Sequence, residues 1–304
     1  MKALITGSEG FVGQYLKNEL IENGYEVLCV DAIQSHTSQK IDILDKEMLE
    51  SYLEHIEVDY VFHLAGQANV GKSWAFPGET FQVNVVGTIN LLEAIRKTNP
   101  RTRVVLIGSS DEYGILREKG KNVTEEIQLN PITPYGISKA VQEKVAMLYV
   151  QHYDMDICLT RSFNHAGAGQ GKGFIFSDFA SGIIEVERGK SKCLKVGNLD
   201  SARDFTHVKD IVGAYRLIAE KGKKGEIYNV GSGKTHTVKD ILEQMIAMAK
   251  VDIEIEQDRE RLRPNDTPVV LCNHSKLTNH TGWVPRYDLE DIIIDVMDYW
   301  RSIL

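Results

Sequence analysis

The run Ala3-Leu4-Ile5-Thr6 leads straight into Gly7-Ser8-Glu9-Gly10-Phe11-Val12-Gly13, an apolar strand signal followed by glycines at the spacing of a dinucleotide-binding turn. In such a turn one glycine permits the tight bend from strand to helix, another lets the backbone approach a pyrophosphate, and a third lets helix and strand pack closely. The helix N-terminus then supplies N–H groups and a favourable dipole for the phosphates. The next strand-like run, Tyr25-Glu26-Val27-Leu28-Cys29-Val30, ends at Asp31. That is the spacing expected of a carboxylate that binds the adenosine ribose.

Outward from this loop, strand-like and helical runs alternate. Tyr60 to Leu64 is followed by a helix near 78–97, Arg103 to Ile107 by a helix from Tyr135 to about His152, and then Asp156 to Thr160. The alternation predicts an α/β fold, a doubly wound parallel (Rossmann) sheet over residues 1–162. Ligands on such sheets lie beyond the carboxyl ends of the strands, where the glycine loop, Ala65-Gly66-Gln67 and Ser109 all fall. After about residue 163 the pattern is less regular, with short strand candidates near 193–196, 226–230 and 252–256. Residues 163–304 therefore read as a mainly substrate-binding, smaller α/β domain. Lys221-Gly222-Lys223-Lys224-Gly225 reads as a solvated turn joining a helix to a strand.

Tyr135 and Lys139 in Tyr135-Gly136-Ile137-Ser138-Lys139 share one face of a helix, one turn apart. A nearby ammonium favours the tyrosinate and lowers the phenol's pKa, which suits a proton-transfer group. Ser109, at the end of the preceding strand, is placed to hydrogen-bond the reacting oxygen. The bland alternatives are a surface helix pair and a serine that merely ends a strand.

At 304 residues the chain can bury a sizeable core, and its 35 basic against 43 acidic residues give a net charge of −8. That balance argues against broad binding to nucleic acid or acidic lipid and leaves room for a local basic pocket for a small phosphate ligand. The sequence has no apolar run of roughly 18 residues and no signal-peptide pattern, so a soluble cytoplasmic protein without membrane association is expected. The four cysteines, Cys29, Cys158, Cys193 and Cys272, form no C-x-x-C and read as reduced structural thiols. The nine histidines show no metal-binding spacing, and no metal is expected.

The glycine spacing, the Tyr-x-x-x-Lys pair and Ser109 together resemble the extended short-chain dehydrogenase/reductase family, over essentially the whole chain. More narrowly, Gly197 to His207 and Leu262-Arg263-Pro264-Asn265-Asp266 resemble nucleotide-binding segments of its GDP-sugar branch of reductases and 4,6-dehydratases. Asn164-His165-Ala166-Gly167-Ala168-Gly169-Gln170 is similar to that branch's Asn-His-x-Gly-Pro-Gly-Gln, with Ala168 where proline is usual.

The resemblance implies NAD(P)H as cofactor, with NAD(H) favoured by Asp31. The cofactor site would comprise Gly7, Gly10, Phe11, Val12, Gly13, Asp31, Asp42, Ile43, Leu64, Ala65, Gly66, Tyr135 and Lys139. It implies Ser109, Tyr135 and Lys139 as catalytic groups, and Ser110, Asp111 and Glu112 as acid/base or sugar contacts. Asp111 falls where the dehydratases carry the glutamate that removes the C5 proton, whereas the Ser-Ser-acid-Glu-Tyr-Gly arrangement looks more like the reductases. Asn164, His165, Lys195, Arg203, Arg263 and Asp266 would bind the sugar nucleotide, the arginines because a guanidinium holds phosphate bidentately. Arg259, Arg261 and Arg263 alternate, which fits either a ligand-facing or a solvated edge. The activity implied is reduction of the C4 keto group of a GDP-4-keto-6-deoxy-hexose; the alternatives are GDP-mannose 4,6-dehydration and, remotely, a non-catalytic nucleotide sensor. The family also implies that residues 205–231 return to the large sheet. A homodimer would form through the apolar helix at 140–150 and the one near 80–97.

Overall fold

The computed structural model describes residues 1–115, 122–258 and 271–304. The first half runs β1 (Lys2–Thr6), α1 (Phe11–Glu22), β2 (Glu26–Asp31), β3 (Gln39–Lys40), α2 (Lys46–Glu54), β4 (Tyr60–His63), α3 (Val70–Ala75) and α4 (Pro77–Phe81). A wide π turn, Gln82–Val86, carries α4 on into α5 (Gly87–Thr98). Then come β5 (Arg103–Ser109), a single 3-10 turn Ser110–Glu112, β6 (Asn122–Val123), α6 (Pro134–Tyr153) and β7 (Ile157–Ser162). The second half holds β8 (Asn164–Ala166), α7 (Ile175–Glu187), β9 (Leu194–Val196), β10 (Ala202–His207), α8 (Val208–Lys221), β11 (Ile227–Val230) and β12 (Thr235–Thr237). It closes with α9 (Val238–Ala247), β13 (Ile255–Gln257), β14 (Leu271–Cys272), α10 (Ser275–Thr281) and α11 (Leu289–Ile303).

Seven strands form one parallel sheet in the order β11-β7-β5-β4-β1-β2-β3. The period-2 alternation of its strands explains the double winding. Leu4, Val61, Val104, Leu106 and Leu159 point to one face and pack with α2, α5 and α6. Ala3, Ile5, Phe62, Val105 and Cys158 point to the other and pack with α1, α8 and α10. Both faces are thus dry, as parallel sheets require. The order reverses direction at β1, so the crevice between the carboxyl ends of β1 and β4 is the topological switch point.

A second core gathers α7, α9, α11, β9 and β10, with Phe176, Ile183, Ile241, Met297 and Trp300 buried in it. Of the segment 205–231, residues 205–207 belong to β10, which pairs with β8 and β12 in a small separate sheet. Only α8 and β11 rejoin the large one, β11 lying parallel to β7. Cys29, Cys158, Cys193 and Cys272 are all free thiols. No helix among the described residues is long and apolar enough to cross a membrane.

Candidate active site

The glycine loop is built as a close approach. Gly7 has φ 73°, a conformation that suits glycine, and a Cβ there would lie 2.6 Å from the amide nitrogen of Ala65 at the end of β4. At Gly13 a Cβ would collide with the carbonyl of Gly7 and the backbone of Ser8, so α1 can start directly over the loop. Gly10 is the N-cap of α1 and Phe11 and Val12 its first residues, and no acidic side chain sits in that first turn. The free first-turn N–H groups and helix dipole make an anion cradle that fits a dinucleotide diphosphate. Asp31 borders it: its carboxylate accepts from Glu9 N–H at 3.0 Å and from Ile33 N–H at 3.1 Å.

Across the crevice, Leu64 N–H bonds to the carbonyl of Thr6, and Ala65 N–H reaches the Thr6 hydroxyl at 3.4 Å. Gly66 follows, close beside the Lys139 ammonium. Asp42 is exposed, its carboxylate accepting from Leu44 N–H. Ile43 differs from expectation. Its side chain is buried against Gly87 and its carbonyl accepts from Asn90, so the side chain serves the core and cannot line a cofactor surface.

The chemistry-bearing residues meet where β5 ends against the first turn of α6. Ser109 caps the 3-10 turn: its hydroxyl accepts from Asp111 N–H at 3.2 Å, and the Tyr135 phenol lies beside it. Ser110 and Asp111 are part-exposed. Glu112 corrects the sequence reading. It is fully buried, because the capping box of this turn draws its carboxylate inward to accept from Ser109 N–H at 2.7 Å. It is therefore inaccessible to a sugar and acts on the backbone of Ser109. Burial, and then the charge of Glu143, hold its carboxyl well above the usual range. The second oxygen of Glu112 lies 3.9 Å from Arg161, whose guanidinium is already bidentate on Glu143 at 2.8 and 2.9 Å.

Tyr135 and Lys139 both reach this corner from one face of α6, and both are buried. The spacing argument expects the ammonium to lower the phenol. Instead Tyr135 is pushed well above its ordinary value, by burial first and the charge of Asp111 second. Lys139 spends its charge elsewhere, donating to the Ile107 carbonyl at 2.9 Å and to the Gln142 side-chain carbonyl at 2.8 Å. Burial pushes its pKa down to about 8, against the opposing charge of Glu112. The arrangement can hold an oxygen at Ser109 and present it with a protonated phenol.

Sequence reasoning missed Asn84. It sits in the π turn, fully buried, its Oδ1 accepting from Gln67 N–H at 2.7 Å and its Nδ2 donating to Ser138 on α6 at 2.9 Å. A π turn inside a helix commonly marks a functional position. The available signal was an asparagine set between valines in Phe81-Gln82-Val83-Asn84-Val85-Val86.

On the facing side, Asn164 is exposed at the start of β8. His165 stacks on Phe11 with ring centroids 6.4 Å apart and planes 10° from parallel, and burial lowers its pKa. Tyr15 on α1 donates to the Ala168 carbonyl at 2.9 Å, tying the Asn164 to Gln170 segment to the glycine loop's helix. Arg203 lies on β10 and bonds the Ala202 carbonyl, and Lys195 is exposed on β9. The structure thus brings the triad, the loop and His165 together. Arg263 and Asp266, with Arg259 and Arg261, lie outside the described residues. No group of three or more metal-ligating side chains occurs among the described residues.

The family model for GDP-mannose 4,6 dehydratase matches residues 4–296. The chain belongs to this family. The GDP-6-deoxy-D-mannose reductase of Pseudomonas aeruginosa is 30% identical to this extended short-chain dehydrogenase/reductase, over 99% of this chain and 97% of its own. The solved structure of RMD from Pseudomonas aeruginosa complexed with NADPH superposes with a TM-score of 0.91 at 29% identity, covering 100% of this chain and 99% of that one. The UDP-glucose 4-epimerase of Thermus thermophilus complexed with NAD gives 0.89 at 27% identity, with full coverage of both.

Proposed function

We propose that this enzyme reduces the C4 keto group of a GDP-4-keto-6-deoxy-hexose, giving a GDP-6-deoxy-hexose such as GDP-rhamnose, with a reduced nicotinamide as hydride donor. The observation that carries the reading is the corner where buried Tyr135 and Lys139 meet Ser109, in a chain similar to a GDP-6-deoxy-D-mannose reductase. Burial and Asp111 keep the phenol protonated beside Ser109, which is the form an acid must have to quench a developing alkoxide. The similarity to a GDP-6-deoxy-D-mannose reductase supports the same choice.

In this mechanism the Ser109 hydroxyl holds the carbonyl oxygen and Tyr135 gives it a proton as C4 becomes tetrahedral. Lys139 lies next to Gly66 at the β4 end of the crevice, where its remaining N–H can reach the ribose on the nicotinamide side. The α1 N-terminus and Gly7 hold the diphosphate, and Asp31 accepts from the adenosine ribose hydroxyls, favouring NAD(H). Phe11, Val12, Leu64, Ala65 and the loop at Asp42 line the rest of the cofactor site. Asn164, His165, Lys195, Arg203, Arg263 and Asp266 bind the sugar nucleotide, with Ser110 and Asp111 at the hexose. Residues 1–162 with α8 and β11 make the dinucleotide-binding unit, and the remainder of 163–304 makes the substrate unit.

We place the enzyme in the cytoplasm, a location that its four free thiols fit. We further propose a homodimer. Ile137, Val141 and Leu148 form an exposed apolar stripe on α6, and Val86 on the helix beside it is exposed as well. The second functional reading, GDP-mannose 4,6-dehydration, draws on Asp111 and on the family model. Two mixtures separate them: GDP-mannose without added reductant, and the 4-keto-6-deoxy sugar with reduced nicotinamide. Turnover of only the second supports the reductase; water loss from the first replaces it with the dehydratase.

A further inference from the structure

Lys139 is held by a buried polar chain that runs from α6 through α5 and β4 to β1. Its Nζ donates to Oε1 of Gln142, and Nε2 of Gln142 donates to the Thr88 hydroxyl at 2.8 Å. Thr88 gives its single proton to the Asn84 carbonyl at 2.7 Å. With that proton so placed its oxygen accepts, and Nε2 of His63, 2.9 Å away, is the protonated ring nitrogen. Nδ1 of His63 then accepts from the Thr6 hydroxyl at 2.7 Å. Every polar atom named here is paired in this arrangement. The amide of Gln142 cannot turn over, because that would set its NH2 against the Lys139 ammonium. Gln142, Thr88 and His63 are all buried, so no water substitutes for a lost partner.

We propose that Gln142 is a positioning residue for the reaction: its carbonyl, fixed in orientation by Thr88 and His63, clamps the Lys139 head group and keeps it charged beside Gly66. The proposal rests on the reading of Lys139 as a site residue. The charged and titratable groups around Lys139 are Glu112 on the turn after β5, His63 on β4 and Tyr135 on α6. Beyond Glu112 stands Arg161 of β7 with its partner Glu143. Burial and the Lys139 charge keep His63 neutral, its pKa pushed down to about 3, so the chain does not reorganise over the working pH range.

The test measures the titration of Lys139 directly, by NMR of protein carrying 13Cε-labelled lysine, with the resonance assigned through Lys139→Arg. Gln142→Met removes an acceptor from a buried ammonium and lowers its pKa by about one pH unit or more. Gln142→Glu keeps the shape, adds a negative charge and raises it by a similar amount. Thr88→Val frees the amide to turn and gives a smaller fall. The basic limb of the kcat profile moves with each. A merely structural role moves both Gln142 variants in the same direction or neither, and either result overturns the proposal. The NMR titration needs no turnover. A wild-type protein that fails to reduce the keto sugar therefore defeats the functional reading and leaves this one to be judged on the titration alone.

Discussion

Replacing Asp111 by asparagine separates a reductase from a dehydratase, because the charge of this carboxylate helps hold the Tyr135 proton on. Reduction needs a single proton donor, so Tyr135→Phe should lower single-turnover reduction by roughly two to four orders of magnitude, about 2.7–5.4 kcal/mol of transition-state stabilisation. Asp111→Asn removes the second cause that holds the phenol's proton on and leaves burial, the larger one, in place. At neutral pH the rate should therefore change by less than about tenfold, since the acid stays in its active form. The sign is fixed: without Asp111 the phenol's pKa falls, while the basic limb of the pH profile, set by Lys139, stays in place. The assay follows loss of reduced nicotinamide in a single turnover with saturating cofactor, after each variant is shown to bind GDP-mannose. If Asp111→Asn is as damaging as Tyr135→Phe, the carboxylate transfers a proton itself and the dehydratase reading takes over.

The cofactor preference should follow Asp31, whose carboxylate repels a 2′-phosphate. Wild type should give the higher kcat/KM with NADH, and Asp31→Ser should narrow or reverse the ratio; a clear wild-type preference for NADPH refutes the role given to Asp31. Leu148→Glu with Val141→Lys places charge in the exposed stripe of α6 and should convert the dimer to monomer in light scattering, whereas a wild-type monomer at micromolar concentration rules the dimer out. Arg161→Met leaves Glu143 and Glu112 buried without a counter-charge and should cost about 3–5 kcal/mol in denaturant unfolding, much of it recovered by adding Glu143→Leu; an unchanged midpoint would show that the pair is not buried in solution. Glu112 gives the unusual sign among carboxylates. Its folded pKa is raised, so the native state holds the proton more tightly, and stability falls as pH rises from the unfolded carboxyl value near ~4.3 through the folded one. Glu112→Gln, which keeps an acceptor for Ser109 N–H, should flatten that part of the stability curve.

Much of this molecule is written in local sequence. The parallel sheet follows from strands whose successive residues, such as Leu4 and Ile5 or Val61 and Phe62, are all apolar because both faces are covered. The loop from Gly7 to Gly13 and the Tyr135/Lys139 pair are legible for the same reason: backbone freedom and helical spacing are properties of a few neighbouring residues. What a carboxylate or ammonium faces is not. Glu112 and Asp111 are adjacent in sequence, yet a turn three residues long sends one into the core and leaves the other at the surface of the site. Lys139 finds its acceptors at Ile107, on a strand far back in the chain, and at Gln142, whose orientation depends in turn on Thr88 and His63. Asn84 enters the site only because a wide turn rotates it there. Such partners are chosen by burial, which forces every polar atom to find whichever complement the packing of distant elements brings within reach. Neighbouring residues thus set the frame and supply the reacting groups, while long-range packing sets which of those groups are charged, which are protonated and which serve the backbone.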